Sequence, residues 1–270
     1  MATIAQISDL HFGRHSDAAA EDLLASLREA NPDLVVLTGD LTQRARSGEF
    51  VQARHFLNRI AQPKLVVPGN HDMPLFNLFH RLLTPLAKYH RYISSLGLAG
   101  DLFANQAIAV LGLNTARRFT HKRGRISTEQ IALARRTFCA LPSSVFKILA
   151  THHPLGYPND EAPRELARGS APALEAIAAV GVHLLMSGHH HRALSGYKDI
   201  GMGASGSVLI LHAGTAISAR LRGTEGNSYN LIRIDGERLA VGIMARLPRG
   251  GFSENRVLSY QFQDGSWQPA

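Results

Sequence analysis

The chain has little of three things that would otherwise decide its class. It holds one cysteine, Cys139, in 270 residues, so no intramolecular disulfide forms and a small disulfide-stapled scaffold is excluded. Cys139 falls in a helical pattern, where a packed small hydrophobe is expected rather than a reactive thiol. No apolar run is long enough to span a bilayer. The first residues enter a strand pattern without a basic n-region or a cleavage site, so no signal peptide and, by default, a cytoplasmic location are expected. There is also no block of like charges, no internal repeat and no basic segment interleaved with aromatics of the kind that stacks single strands.

What is present is ordinary in bulk. Apolar residues make up 45% and charged residues 19% of the chain, which fits a soluble globular protein with a full core. The formal charge of +8 fits an anionic partner, whether nucleic acid, nucleotide or lipid phosphate, without choosing among them.

The first strand and its turn, Ile4 to His11, carry the decisive pattern. A buried apolar strand ending in Asp9-x-His11 delivers a carboxylate and an imidazole to one rim of a sheet. Later strands bring matching groups to that rim. Gly39-Asp40 follows Leu34–Leu37, Gly69-Asn70-His71-Asp72 follows Lys64–Val67, His152-His153-Pro154 follows Phe146–Ala150, and Gly188-His189-His190-His191 follows Val182–Met186. Each motif alone is weak, since Gly-Asp is usually a turn. Five of them at the C-terminal ends of apolar strands, where open α/β sheets form their crevices, are not a chance assembly. Seven of the fourteen histidines lie inside them.

Between these strands the periodicity predicts helices over Ala18–Ala30, Glu49–Ile60 and Ala171–Val180, and from a capping box at Ser127-Thr128-Glu129-Gln130 to Cys139. Strand–helix–strand units in succession predict a parallel sheet. Residues 73–106 break that rhythm: Leu75–Leu83 and the stretch to Leu98 read as helical. They form either a lid over the ligand rim or an ordinary packing pair. From about Gly201 the pattern turns to strands joined by short turns, Ser207–His212, Ser228–Ile234, Arg238–Met244 and Arg256–Phe262, expected as a mainly antiparallel second sheet. One domain over 1–270 is the expected organisation.

The motifs Asp9-x-His11, Gly39-Asp40, Gly69-Asn70-His71-Asp72, His152-x-Pro154 and Gly188-His189-x-His191, in that order, resemble those of the calcineurin-like metallophosphoesterase superfamily. Within it the chain is most similar to the cyclic-nucleotide phosphodiesterase branch, through His152-His153-Pro154 and the stretch from Leu113-Asn114-Thr115 to Gly124-Arg125-Ile126-Ser127, although that branch often has an acidic residue where Asn114 stands. The resemblance implies an α/β sandwich, two mixed β-sheets flanked by helices in an αββα order. It implies two divalent metal ions, manganese or iron first and zinc also admissible, as oxygen and nitrogen ligands without thiolate suggest. Asp9, His11 and His191 are expected to hold one metal, Asn70, His152 and His189 the other, and Asp40 to bridge them. His71 is expected to be catalytic at the scissile phosphate, with His11, Asp40, Asn70 and His191 also meeting substrate. Asp72 either orients the His71 ring or serves as a solvated or capping carboxylate.

The function implied is hydrolysis of small phosphodiesters, with 3′,5′-cyclic nucleotides leading, by a metal-bridging hydroxide. A nuclease and a phospholipid or sugar-lipid phosphoesterase with the same centre are the alternatives, and a non-catalytic scaffold is the reading from a different class. A homo-oligomer through the C-terminal strands is compatible with the sequence. His153 and His190 are expected beside the ligands rather than among them. His183 and His212 are expected in the core, and Arg117, Arg118, Lys122, Arg123 and Arg125 in a basic loop facing either substrate or solvent.

Overall fold

The computed structural model describes residues 1–94, 96, 101–120, 122–161, 165–200, 206–219 and 226–270. Leu98 and Gly201, which bounded two of the expected segments, lie outside the described residues.

In chain order the elements are β1 (Ala2–Ile7), α1 (Asp17–Ala30), β2 (Leu34–Thr38), α2 (Ser47–Asn58), β3 (Lys64–Val67), α3 (Leu78–Leu83) and α4 (Ala87–Tyr89), the last continuing into a wider helical turn over His90–Ser94. Then come β4 (Leu102–Ala104), β5 (Ile108–Leu113), α5 (Thr128–Cys139), β6 (Phe146–Thr151), α6 (Ser170–Ala178), β7 (Leu184–Ser187), β8 (Leu194–Asp199) and β9 (Ser207–His212). The chain closes with β10 (Ser228–Asp235), β11 (Arg238–Arg246), β12 (Phe252–Gln263) and β13 (Ser266–Pro269).

Local chemistry sets the helix ends. Ser16 accepts the Ala19 amide at 3.3 Å, and Asn31, with φ 39°, closes α1 in the left-handed conformation that asparagine tolerates. The Ser127–Gln130 capping box forms as expected. By contrast α2 starts at Ser47, ahead of the expected Glu49, because the Glu49 carboxylate turns back to accept the Arg44 and Arg46 amides. Cys139 is exposed at the end of α5, and only Ala134 and Phe138 of that helix are buried. The helix buries too narrow a stripe for its last residue to reach the core.

Two mixed sheets face each other. One runs β13-β12-β11-β10-β1-β2-β3 and the other β4-β5-β6-β7-β9-β8. Side chains alternate: Ile4, Leu34, Val36 and Leu65 meet Ile148, Leu184 and Leu209 between the sheets. From the opposite face of the first sheet, Ile7, Val35 and Leu37 pack against Leu23, Phe50 and Leu57 of α1 and α2. Leu111, Leu149 and Leu185 do the same against Phe138 and Ile177 of α5 and α6. Parallel strands covered on both faces need this continuous apolar character. The αββα sandwich is therefore present.

The C-terminal strands do not build a sheet of their own. β10 pairs antiparallel with β1, from Ala2↔Ile234 to Gln6↔Asn230, so β10–β13 extend the first sheet. β9 instead lies parallel to β7, carried there by its hairpin with β8. β8 gives little sequence signal, since Leu194-Ser195-Gly196-Tyr197-Lys198-Asp199 lacks an apolar alternation.

Two histidines diverge in setting. His183 precedes β7 instead of lying within a strand, and stacks on Phe146 at 4.6 Å, half-buried. His212 is fully buried at the end of β9, with Nε2 3.0 Å from the Gly156 carbonyl. Burial pulls the His212 pKa down to about 4. A histidine depressed in the folded state stabilises above its unfolded value and loses that contribution as pH falls through the folded one. We expect its share of stability, about 3 kcal/mol at full protonation, to disappear between about pH 6.5 and pH 4. Urea midpoints at the two ends of that window should differ less for His212→Gln than for the parent, both stripped of metal. Equal differences would show that His212 is not a source of acid lability.

Candidate functional site

The loops after β1, β2, β3, β6 and β7 meet at one rim, and backbone hydrogen bonds lock them together. Asp9 N donates to Gly39 O and His11 N to Asp40 O, each at 3.0 Å, while Gly188 N donates to His152 O across the other sheet. Gln6, buried in β1, donates to Ser187 O at 3.0 Å and accepts from Asn230, tying the two sheets just beneath the rim.

The backbone at this rim is unusual. Among the described residues eight non-glycines have positive φ, and five are Asp9, His11, Asp40, His189 and His191. Left-handed conformations cost L-residues about 1–2 kcal/mol each and gather where geometry serves function. Close approach demands glycine beside them. A Cβ on Gly69 would stand 2.0 Å from Asp40 Oδ1, and one on Gly188 1.9 Å from the Ser8 hydroxyl.

The side chains converge in two groups. In the first, His11 Nε2 lies 3.1 Å from His191 Nε2, and Asp9 Oδ1 lies 3.6 Å from His11 Nε2 and 3.2 Å from His191 Nε2. In the second, His152 Nε2 lies 3.2 Å from Asn70 Oδ1 and 3.3 Å from His189 Nδ1. Asp40 Oδ2 reaches both, at 3.9 Å from His11 Nε2 and 3.4 Å from His152 Nε2. Ligands held about 2.0–2.2 Å from a cation stand about 3.0–3.6 Å from one another, which is the spacing seen inside each group. Asp9 Oδ1 is buried with no hydrogen-bond partner among the described residues, an arrangement that costs free energy unless a cation meets it. The residues present thus fit two divalent ions with mixed oxygen and nitrogen ligands.

Second partners hold these groups in place. Asp9 Oδ2 accepts from the Ser8 hydroxyl at 2.6 Å and the His189 amide at 3.0 Å. His152 Nδ1 sits 2.7 Å from Thr38 O. His153 is buried beside His152 and His189, close enough to them to count among potential ligands, with its Nδ1 2.8 Å from the Thr115 hydroxyl. His190 packs on Tyr157.

Charge follows geometry. Burial would raise both Asp9 and Asp40, but His191 beside the first and His152 and His71 beside the second outweigh it, holding both carboxyls well below the usual range. Burial would lower His152, yet the Asp40 charge and hydrogen bond lift it to about 9. Burial lowers His189 to about 3, with the His152 charge adding to it. Burial would also lower His11, but the Asp9 hydrogen bond and the Asp40 and Asp9 charges raise it.

Asp72 does not reach the His71 ring. It is buried, not solvated, and its carboxylate accepts the Gly69, Leu41 and Thr42 amides and the Thr42 hydroxyl. Burial and the Asp40 charge push it up to about 6. The His71 ring is held instead by Gln43, whose carbonyl lies 2.7 Å from Nδ1. A main-chain acceptor leaves no sequence signal. His71 N donates to Asp40 Oδ1 at 2.8 Å, and its half-buried ring stands edge-on to His11 at 4.9 Å. His71 also falls within ligand reach of His11 and Asp40.

His212 is buried against the Tyr157 ring at 4.8 Å and belongs to none of the candidate ligand groups, as expected of a core residue. Of the basic loop, Arg117 turns inward to Asn114 O, Ala116 O and Gln130, and Arg123 pairs with Glu165, while Lys122 and Arg125 are exposed. His121 lies outside the described residues. No described helix is long and apolar enough to cross a membrane.

Comparison with known proteins adds three findings. A family model described as calcineurin-like phosphoesterase matches residues 2–193. A Synechococcus sp. protein named "Probable cyclic nucleotide phosphodiesterase" is 31% identical over 81 residues, 27% of this chain and 32% of that protein. The glycerophosphodiester phosphodiesterase GpdQ of Enterobacter lignolyticus is 34% identical over 80 residues, 26% of this chain and 29% of that protein. The matched stretches thus span less than a third of either relative's length. Among solved structures, a dimetal phosphatase from Danio rerio has TM-score 0.64 at 14% identity, covering 97% of this chain and 99% of its own. The purple acid phosphatase PPD1 from yellow lupin (Lupinus luteus) seeds has TM-score 0.65 at 12% identity, covering 90% and 51%. At such identities these two likenesses speak for the fold alone.

Proposed function

Because the chain belongs to the calcineurin-like phosphoesterase family, we propose that it is a dinuclear metal-dependent phosphodiesterase acting on small diesters, with 3′,5′-cyclic nucleotides the leading class. The observation that carries this reading is the pair of ligand clusters sharing Asp40 Oδ2. Asp9, His11 and His191 would hold one cation, Asn70, His152 and His189 the other, with Asp40 common to both. When bound, two such ions neutralise phosphoryl charge and make water a nucleophile at neutral pH.

The protein's own groups then do the positioning. Asp40 would offer Oδ2 to the cations while its Oδ1 accepts the His71 amide, so the shared carboxylate also anchors the backbone that carries the His71 ring. With Nδ1 against Gln43 O, His71 would present Nε2 to substrate, where it can give a proton to the departing oxygen. Asn70 adds a neutral amide oxygen, which limits the negative charge facing an anionic substrate.

Two features support a small diester. Both curated relatives are named as phosphodiesterases. A cavity of about 240 Å³ at the C-terminal ends of β3 and β5, lined by Pro68, Tyr89, His90 and Asn114, suits a group the size of a base or a glycerol. Manganese or iron is the expected metal, since the donors are oxygen and imidazole without thiolate.

The test is a substrate panel with manganese-loaded protein: cyclic AMP, 2′,3′-cyclic AMP, bis-p-nitrophenyl phosphate, p-nitrophenyl phosphate and single-stranded DNA. Turnover of the cyclic nucleotides and the synthetic diester well above the monoester is expected. Cleavage confined to DNA would replace this reading with a nuclease, and cleavage confined to the monoester with a phosphatase.

A further inference from the structure

We propose that the face formed by α3 and the 114–120 loop, beside the candidate site, is a docking surface for a bilayer rich in anionic lipid. The observation that leads here is an inside-out helix. The one buried residue of α3 is Arg81, while Leu78, Phe79, Leu82 and Leu83 face outward. Arg81 is fixed from three directions, donating to Pro74 O at 2.9 Å, Arg118 O at 2.8 Å and Thr120 O at 2.6 Å. Its guanidinium is the peg that turns the apolar side of the helix to the outside, so the exposure is built in.

The patch is concentrated. Of thirteen large apolar side chains exposed among the described residues, seven belong to Leu75–Leu83 and Phe119. Phe76, Phe79 and Phe119 are exposed to 73%, 69% and 75%. Contiguous apolar surface of this kind marks an interaction site. Arg118 bonds Leu82 O at 2.8 Å, which joins the loop to the helix as one surface.

Charge selects the occupant. Residues 73–128 contain eight lysines and arginines and a single acid, Asp101. Cations stand at the patch itself: Arg44 lies over the Phe76 ring at 5.0 Å and Arg118 over Phe119 at 4.8 Å. Leucine and phenylalanine fringed by arginine and lysine are what an interfacial segment offers to anionic headgroups and the acyl boundary beneath them. A second copy of the chain would set the same cations against one another in a self-complementary contact. The surface borders the rim at both ends, since residues 73–77 lead into α3 directly from Asn70–Asp72 and Thr115 holds His153. Docking there would bring the ligand clusters to the headgroup level.

The experiment is flotation of the metal-loaded full chain with vesicles of equimolar phosphatidylglycerol and phosphatidylcholine, against phosphatidylcholine alone. Binding to the anionic vesicles, weakened by salt, is expected. Phe76→Ser/Phe79→Ser/Phe119→Ser should lower it at least about tenfold, and Arg44→Gln should lower it and blunt its salt dependence. Both variants should keep the parent's unfolding midpoint and its turnover of a soluble diester, because these side chains lie outside the ligand clusters. No flotation with anionic vesicles at low salt, or undiminished flotation of the phenylalanine variant, would overturn the proposal. So would a dimer, or retention of single-stranded DNA, that the phenylalanine variant abolishes while vesicles go unbound. Flotation reads docking whether or not any diester is cleaved, so it fails separately from the proposed activity.

Discussion

Asp40→Ala is expected to lower diester turnover at least about 10³-fold, the equivalent of several kcal/mol of lost transition-state charge stabilisation. Metal content should fall below two ions per chain, as read by elemental analysis. The reason is positional. Asp40 Oδ2 is the carboxylate oxygen that lies within 4 Å of both ligand groups, at 3.9 Å from His11 Nε2 and 3.4 Å from His152 Nε2. Without it, two dications would face each other with no shared anion between them. Its other oxygen accepts the His71 amide, so alanine also frees the segment carrying Asn70 and His71. Asp40→Asn separates these effects: it keeps a group able to accept that amide but removes the charge. It should fold as the parent does and still lose most turnover. Chelation of the parent should copy the loss of activity and lower the unfolding midpoint, because ligands that bind only the folded chain stabilise it by mass action. Full turnover by Asp40→Ala with two metals retained would end the shared-carboxylate reading.

The candidate ligands are legible because each sits where an apolar run stops, and a run buried on both faces announces its own end. Lys64–Val67 illustrates the point, since strand β3 has the limits its sequence predicts. What stayed hidden depends on partners far along the chain. β10 pairs with β1 across more than two hundred residues, and nothing in Ser228–Asp235 says which edge it will join. Of the roles open to Asp72, capping is the one that holds, since its carboxylate accepts the Gly69 amide at the head of the 70–72 turn, but its further donors, the amides of Leu41 and Thr42, come from another loop and leave no local signal. Gln43 acts on His71 through its carbonyl, a group every residue carries. Leu75–Leu83 reads as helical, and its leucines and phenylalanines then form an apolar stripe, but the direction that stripe faces is set by the burial of Arg81. A stripe gives periodicity and no sign.

His71→Ala is expected to slow hydrolysis of cyclic AMP by about 10²–10⁴-fold, the range of a general acid, while both metals stay bound. The discriminating feature is the leaving group. A p-nitrophenolate departs with little need of a proton, whereas a ribose alkoxide needs one, so the loss should be much smaller with bis-p-nitrophenyl phosphate than with cyclic AMP. A residue that merely shaped the pocket would slow both alike. The structure supports the acid role through two contacts: Gln43 O fixes Nδ1 at 2.7 Å, and the His71 amide is anchored on Asp40, so Nε2 is held toward the rim. The competing role is ligation, because His71 lies within reach of His11 and Asp40. Metal content decides between them. If His71→Ala dropped one ion per chain, the residue would be a ligand, and the leaving-group dependence would vanish with it. Gln43→Ala gives the complementary result. It keeps the carbonyl that holds the ring and removes the side chain whose Nε2 stands 3.4 Å from Nδ1, so it should leave the leaving-group dependence intact.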